Sequence, residues 1–187
     1  MTVSPALDER FRAAAAAASL LDVAFDVFDE TPIGPLLLAV SDRGVCRISF
    51  DPDAEHHLDV LARQFGPRVL RSAKPVDRVR TELDEYFAGK RRSFDVEPDV
   101  RYLPAYNQVV LRELARVAYG TTTTYGTLAA QTGNPRAARA VGTVMNRNPI
   151  PIVLPCHRVV GASGSLTGYA GGLDRKEQLL RLEGAIL

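Results

Sequence analysis

The pattern of short apolar runs in residues 22–50 gives way to helical spacing further along this chain, and that change limits the fold more than any other feature. Between residues 22 and 50, short apolar runs alternate with turn chemistry. Val23–Phe28 and Pro35–Val40 flank Thr31-Pro32-Ile33-Gly34, and Gly44–Phe50 follows a second turn at Asp42-Arg43. β-branched and aromatic residues bounded by Pro, Gly and Asp read as strands. A helix is predicted over Pro75–Phe87, with Val76, Val79, Leu83 and Phe87 at helical spacing and Gly89-Lys90-Arg91-Arg92 ending it. Asp95–Pro104, with two prolines, three acids and an arginine, reads as a linker. From Ala105 onward the pattern is helical, with Val109, Val110, Leu114 and Val117 as one stripe. The chain therefore reads as α+β, with a structural domain over 1–95, a linker over 96–104 and a second domain over 105–187.

Several function classes fall away on composition. Only two cysteines occur, Cys46 and Cys156, too few for a disulfide framework, and a reduced, cytoplasmic setting follows. No apolar stretch approaches the ~20 residues of a membrane span. Met1–Leu21 carries Asp8, Glu9, Arg10 and Arg12 before the alanine run Ala13–Ala18, and reads as a helix or a frayed leader rather than a secretory signal. The net charge of +1 conceals an asymmetry: residues 101–187 hold ten Lys and Arg against four Asp and Glu. A basic half of this kind suits a polyanionic partner, the alternative being solvated arginines scattered by chance.

Soft chemistry is concentrated in Leu154-Pro155-Cys156-His157-Arg158-Val159-Val160. The thiolate is the nucleophilic form of cysteine, and a neighbouring imidazole is one way to make it near neutral pH. The alternative is a buried structural cysteine beside a chance histidine. If the run is extended, adjacent side chains point to opposite faces, so His157 reaches the sulfur only through a bridging water. Cys46, between Val45 and Ile48, reads as a small buried hydrophobe. His56 and His57 read as surface residues on a helix, where adjacent positions diverge and make a poor metal pair.

Gly120–Asn148 carries the second signal. Thr124 is an N-cap for a helix over Tyr125–Gln131, and Gly133 supplies a left-handed stop. Asn134-Pro135 restarts a helix over Arg136–Met145 whose Ala137, Ala138, Ala140 and Gly142 are small. Two short helices about a tight turn form a helix-turn-helix. The small second helix lets a backbone approach a surface closely while Arg139 projects.

Asn148-Pro149-Ile150-Pro151-Ile152-Val153-Leu154-Pro155-Cys156-His157-Arg158-Val159 closely resembles the signature of the O6-alkylguanine-DNA alkyltransferases. The resemblance takes in Tyr125 and Ala137–Gly142 upstream, and Gly164, Gly168-Tyr169, Gly171-Gly172-Leu173, Lys176 and Leu182-Glu183-Gly184 downstream, covering about Tyr106 to Gly184. It implies an N-terminal ribonuclease-H-like domain with a small antiparallel sheet and a mostly helical, winged helix-turn-helix-like C-terminal domain. It implies a monomeric DNA-repair protein that flips O6-alkylguanine out of duplex DNA and moves the alkyl group irreversibly to Cys156, once per molecule. Acceptance of O4-alkylthymine and cooperative binding on DNA stay open.

The same resemblance assigns roles by position. His157 and Glu183 complete a Cys–water–His–Glu relay, Asn148 ties the helix-turn-helix to the active-site loop, and Tyr169 donates a proton to the leaving guanine. Tyr125 meets the flipped base and its phosphate, and Arg139 fills the gap in the duplex beside Ala138. Met145 and Val159 line the pocket, and the amides of Ala170 and Gly171 meet the base oxygen. Departures are Ala170 where serine is common, Tyr106-Asn107 and Arg112 where Phe-Gln and a tryptophan are usual, and Asn146-Arg147 at the end of the second helix. The zinc-binding cysteines of some members are missing, so no metal or cofactor is expected. Rival classes are a lesion sensor that lacks the nucleophile, a cysteine hydrolase and a DNA-binding regulator; Cys156 argues against the first, and the last would not need it.

Overall fold

The computed structural model of the chain describes residues 4–18 and 20–187. Parts of the Met1–Leu21 reading that fall on residues 1–3 and 19 lie outside them. By packing, the chain divides into two compact units, Met1–Glu85 with Asp95–Tyr102, and Tyr86–Phe94 with Leu103–Leu187.

In the first unit, helix α1 (Pro5–Ala17) starts at Ser4, whose hydroxyl accepts from the Leu7 amide at 3.3 Å. Strands β1 (Val23–Phe28), β2 (Leu36–Ser41) and β3 (Val45–Ser49) fall where the turn chemistry placed β structure and form an antiparallel meander. A fourth strand, β4 (Val69–Arg71), extends the sheet in the order β3-β2-β1-β4 and runs parallel to β1, pairing Val23 with Val69. Helices α2 (Glu55–Phe65) and α3 (Ala73–Phe87) complete the unit's elements, α3 running on into Tyr86 and Phe87 of the second unit. Residues of both parities in β1 and β2 are buried, which is why these strands read as near-continuous apolar runs. One face packs Val23, Phe25, Leu37, Ala39 and Cys46 with Leu61 of α2. On β1, Asp26 is held by Arg80 of α3 at 2.6 Å and by Arg71 at 2.8 Å.

Asp95–Tyr102 pairs with β3: Val45 N–H donates to Glu97 O at 2.8 Å and Asp99 N–H to Val45 O at 2.7 Å. Gly44 permits this approach, since a Cβ there would sit 2.0 Å from the Glu97 carbonyl oxygen. His56 is exposed, whereas the His57 side chain is mostly covered and its Nε2 donates to the Asp51 carbonyl oxygen at 3.2 Å. Among the described residues no group of His, Cys, Asp and Glu could hold a metal ion, and no helix is long and apolar enough to cross a membrane.

The second unit is mostly helical. Helix α4 (Ala105–Leu114) buries Val110, Leu111 and Leu114, while Val109, expected in that stripe, is 36% exposed. Leu111 takes its place because the buried arc follows i, i+1 and i+4 around the helix. Helix α5 (Tyr125–Gln131) is capped by Thr124, whose hydroxyl accepts from Thr127 N–H at 3.1 Å. Gly133 has φ 83°, and Asn134 accepts from Arg136 N–H at 3.2 Å. One 3₁₀ turn (Pro135–Ala137) then leads into α6 (Ala138–Asn146). The two-stranded parallel pair β5 (Thr123–Thr124) and β6 (Val159–Val160) joins the start of α5 to the segment just past Cys156. Helix α7 (Leu173–Leu182) closes the unit, and Leu128, Val141, Ile150, Ile152 and Leu179 are 0% exposed in its core.

Candidate functional site

Asn148 organises the segment between α6 and Cys156. Its side-chain oxygen accepts from Ile150 N–H at 3.0 Å, and its Nδ2 donates to Leu154 O at 2.7 Å and to Cys156 Sγ at 3.1 Å. Between those anchors Ile152 sits at φ 75°, the only described non-glycine residue with positive φ. A β-branched residue there stores about 1–3 kcal/mol of strain, which persists only where neighbours fix the backbone. Ile150 O, accepting from Leu154 N–H at 2.9 Å, helps to fix it.

Cys156–Arg158 is one turn of 3₁₀ helix, not the extended run the sequence suggested. Pro155 at ψ 62° starts the turn, and Arg158 N–H then reaches Pro155 O at 2.9 Å. Adjacent side chains on such a turn still diverge by about a third of a revolution. No hydrogen bond joins the thiol to the imidazole, so the expected lack of direct contact stands on different geometry. The free thiol is 4% exposed. Burial pushes its pKa up to about 11, against the Asn148 hydrogen bond and the Lys176 charge.

His157 is 0% exposed and lies 2.9 Å from Glu183 through Nε2. Burial would raise the Glu183 carboxyl, but hydrogen bonds from His157 and Arg158 outweigh it and hold the group at about 2. An ionised carboxylate only accepts, so the proton of a neutral imidazole sits on Nε2 and Nδ1 keeps the lone pair. Burial lowers the His157 pKa, with Glu183 opposing and Arg158 and Lys176 assisting, and Nδ1 has no hydrogen-bond partner among the described residues. The site at rest is therefore a neutral thiol beside a neutral imidazole with a free base position.

Two residues of this centre were named in the motifs without a role. Arg158, 6% exposed, grips Glu183 with Nε at 2.9 Å and Nη2 at 2.8 Å, and its Nη1 donates to Val117 O at 2.5 Å. An arginine inside an apolar run is the sequence signal for such a buried pair. Lys176 is 0% exposed and its Nζ donates to Val159 O at 2.6 Å and Thr167 O at 2.7 Å. Glu183 also accepts from Gly120 N–H at 3.3 Å, and a Cβ on Gly120 would lie 2.9 Å from the Glu183 carbonyl oxygen.

The remaining expected residues surround this cluster. Met145 is 3% and Val159 0% exposed. The Tyr125 hydroxyl accepts from Thr167 Oγ1 at 3.4 Å, which ties α5 to the segment before Tyr169. Burial raises the Tyr169 phenol well above its ordinary value, and a negative Cys156 raises it further. Gly171 is buried and Ala170 exposed. Ala138 and Arg139 stand apart on α6, with Arg139 exposed. Of the ten C-terminal cations, Arg158 and Lys176 are buried, and Arg116 and Arg181 pair with Glu113 and Glu177. Arg136, Arg139 and Arg147 are exposed and make no ion pair among the described residues.

Fold and site together define a helix-turn-helix protein with a buried cysteine next in sequence to a histidine paired with a glutamate that an arginine also grips. Two family models match: the 6-O-methylguanine DNA methyltransferase DNA-binding domain over residues 105–185 and the ribonuclease-like domain of the same family over 27–99. The chain belongs to the 6-O-methylguanine DNA methyltransferase family. It is 55% identical over 154 residues to a methylated-DNA–protein-cysteine methyltransferase of Mycolicibacterium paratuberculosis, covering 82% of this chain and 88% of that one. Its counterpart in Methanosarcina acetivorans is 43% identical over 158 residues, with 83% and 96% covered. The crystal structure of Mycobacterium tuberculosis OGT in complex with DNA aligns with TM-score 0.73 at 39% identity, covering 86% of this chain and 92% of that one. The α+β class with a ribonuclease-like N-terminal part agrees with the sequence reading, and β4 adds a parallel strand to the expected antiparallel sheet.

Proposed function

We propose that the protein repairs DNA by direct reversal, transferring the alkyl group of O6-alkylguanine in duplex DNA to Cys156. The observation that carries the reading is the Cys156 thiol, bound by Asn148 in a buried site, with a neutral His157 and an ionised Glu183 beside it. The relatives' shared activity and the DNA-bound M. tuberculosis neighbour support DNA as the partner.

The C-terminal unit, built largely from residues 105–187, does the work. Arg136, Arg139 and Arg147 meet phosphates, giving salt-dependent and sequence-tolerant affinity. The small residues around Ala138 admit the duplex, and Arg139 enters the gap as the base swings out, at a cost of a few kcal/mol. Tyr125 meets the flipped base, and Met145 and Val159 line its pocket. The Val159 carbonyl serves Lys176 and has a second lone pair for the guanine amino group. The amides of Ala170 and Gly171 address the base oxygen.

The Cys156 proton passes through a water to His157 Nδ1, and Glu183 and Arg158 hold the imidazole as it charges. The thiolate attacks the alkyl carbon; the S–C bond forms as the C–O bond breaks. Guanine leaves with the electron pair and takes a proton from Tyr169, which recovers one from the relay. A thioether is stable and nothing restores the thiol, so each molecule acts once, as a monomer, without metal or cofactor. A reactant thiol that must stay reduced suits the cytoplasm.

The test is to incubate the protein with a duplex containing O6-methylguanine and weigh the peptide bearing Cys156. A methyl's gain in mass on that peptide, absent in Cys156→Ser, is expected. Folded protein that binds the duplex and gains nothing would sink the proposal.

A further inference from the structure

Glu183 receives more donors than a carboxylate bound to one histidine needs. Oε1 accepts from His157 Nε2 at 2.9 Å, Arg158 Nη2 at 2.8 Å and the Tyr86 hydroxyl at 2.7 Å, and Oε2 takes Arg158 Nε and Gly120 N–H. Tyr86 comes from the end of α3, 97 residues before Glu183, and is 0% exposed. Its ring is fixed by edge contact with Phe87 and Tyr119 and by Phe94, at centroid distances of 5.4, 6.0 and 5.4 Å. Arg158 is fixed in turn by Val117 O and by the Tyr119 ring at 5.8 Å.

We propose that Tyr86 is a positioning residue for alkyl transfer: its hydroxyl competes with His157 for Glu183 Oε1, and so sets both the orientation of the imidazole and how strongly Glu183 holds its proton. This rests on the repair reading of the site. One oxygen offers two lone pairs, so three donors share them, and removing one strengthens the others. Burial keeps the Tyr86 phenol protonated far above the ordinary tyrosine range, so it donates at every working pH. The other groups facing His157 are Arg158 and Lys176, and those facing Glu183 are Arg158, Tyr119 and Tyr169. Arg158 already donates to Oε1, while Lys176 is held by Val159 O and Thr167 O and the Tyr119 hydroxyl by Leu182 O, so none of these three takes the place of the Tyr86 hydroxyl.

The sign follows. Without the hydroxyl, Glu183 carries more uncompensated negative charge toward His157, which favours the imidazolium. A protonated His157 cannot take the Cys156 proton, so the acid limb of the transfer rate moves to higher pH.

The experiment compares the full chain with Tyr86→Phe and with 3,5-difluorotyrosine placed at position 86. Imidazole ¹⁵N shifts of His157, assigned against His157→Gln, report the Nε2–H bond without DNA; methyl transfer from an O6-methylguanine duplex reports the rate. Tyr86→Phe is expected to move the Nε2 signal toward a stronger bond, shift the acid limb upward, and slow transfer about threefold or more near pH 7. The more acidic difluoro phenol donates more strongly and moves the Nε2 signal the opposite way, which a merely structural residue would not do. Unchanged ¹⁵N shifts in both folded proteins overturn the proposal. If Tyr86→Phe does not fold, the difluoro protein alone decides it. Failure of the unmodified protein to become methylated refutes the repair reading, while the ¹⁵N comparison still settles Tyr86.

Discussion

Replacing Glu183 with glutamine removes one charge and almost no volume from the most connected side chain of the site. The carboxyl lies at about 2 in the folded protein against an ordinary 4.5. A displacement of that size is worth about 3 kcal/mol. Breaking a buried ion pair by removing one member costs about 3–5 kcal/mol, and the two figures agree because both describe Arg158 and His157 left facing a neutral amide. Because the folded-state pKa is depressed, the stabilisation is present in full above the unfolded value near 4.5 and is lost as pH falls through about 2. The gap between the unmodified protein and Glu183→Gln should therefore be about 3 kcal/mol at pH 7 and should close over that acid window. Taking the difference between the two proteins cancels the other carboxylates, which titrate in both. Two compact units can unfold separately, so amide exchange within Leu173–Leu182, the helix leading to Glu183, is the appropriate probe. A gap that stays constant from pH 7 to pH 2 would refute the electrostatic reasoning.

Asn148→Ala should lower stability by about 2–3 kcal/mol, since Ile150 N–H and Leu154 O lose their partner, and should slow methylation of Cys156; urea midpoints and peptide mass measure the two effects. Arg139→Ala should slow transfer from duplex DNA at least tenfold while sparing transfer from a free alkylated base, and equal losses on both substrates would remove Arg139 from base extrusion. Lys176→Met takes away the charge that opposes burial at Cys156, so the thiol should rise beyond about 11. Alkylation by a small haloacetamide, followed against pH, checks this, and a shift to lower pH would contradict it.

Local signals in the sequence transferred well. Thr124 and Gly133 bound α5 at Tyr125–Gln131, as a capping side chain and a left-handed stop dictate. The strands β1 and β2 were legible because short apolar runs met turn residues at both ends. Strand β4 was not, since three residues show no period, and its pairing with β1 is set by the sheet rather than by its own composition. The turn at Cys156–Arg158 escaped a reading based on extended apolar runs, because Pro155 decides the backbone there. Cys156, His157, Asn148 and Glu183 were brought forward by the motif and lie together. Arg158 and Tyr86 went unassigned because each acts on a carboxylate 25 or 97 residues away, a distance no periodicity spans. In α3 the helical stripe pointed to Phe87, yet Tyr86 is the ring that is fully buried.

The order in which the chain visits its two units has a genetic corollary. The path leaves the first unit at Glu85, gives Tyr86–Phe94 to the second, returns for Asp95–Tyr102, and only then stays with the second to the end. No single crossover in a gene can exchange one unit for that of a relative and keep both whole. A junction between 85 and 86 keeps Tyr86 with Glu183 but parts Asp95–Tyr102 from its pairing with Val45, and one between 102 and 103 keeps that pairing but gives Glu183 a foreign tyrosine. Chimaeras between relatives should therefore tolerate three junctions, at 85/86, 94/95 and 102/103, better than one, with Tyr86 inherited from the same parent as Glu183.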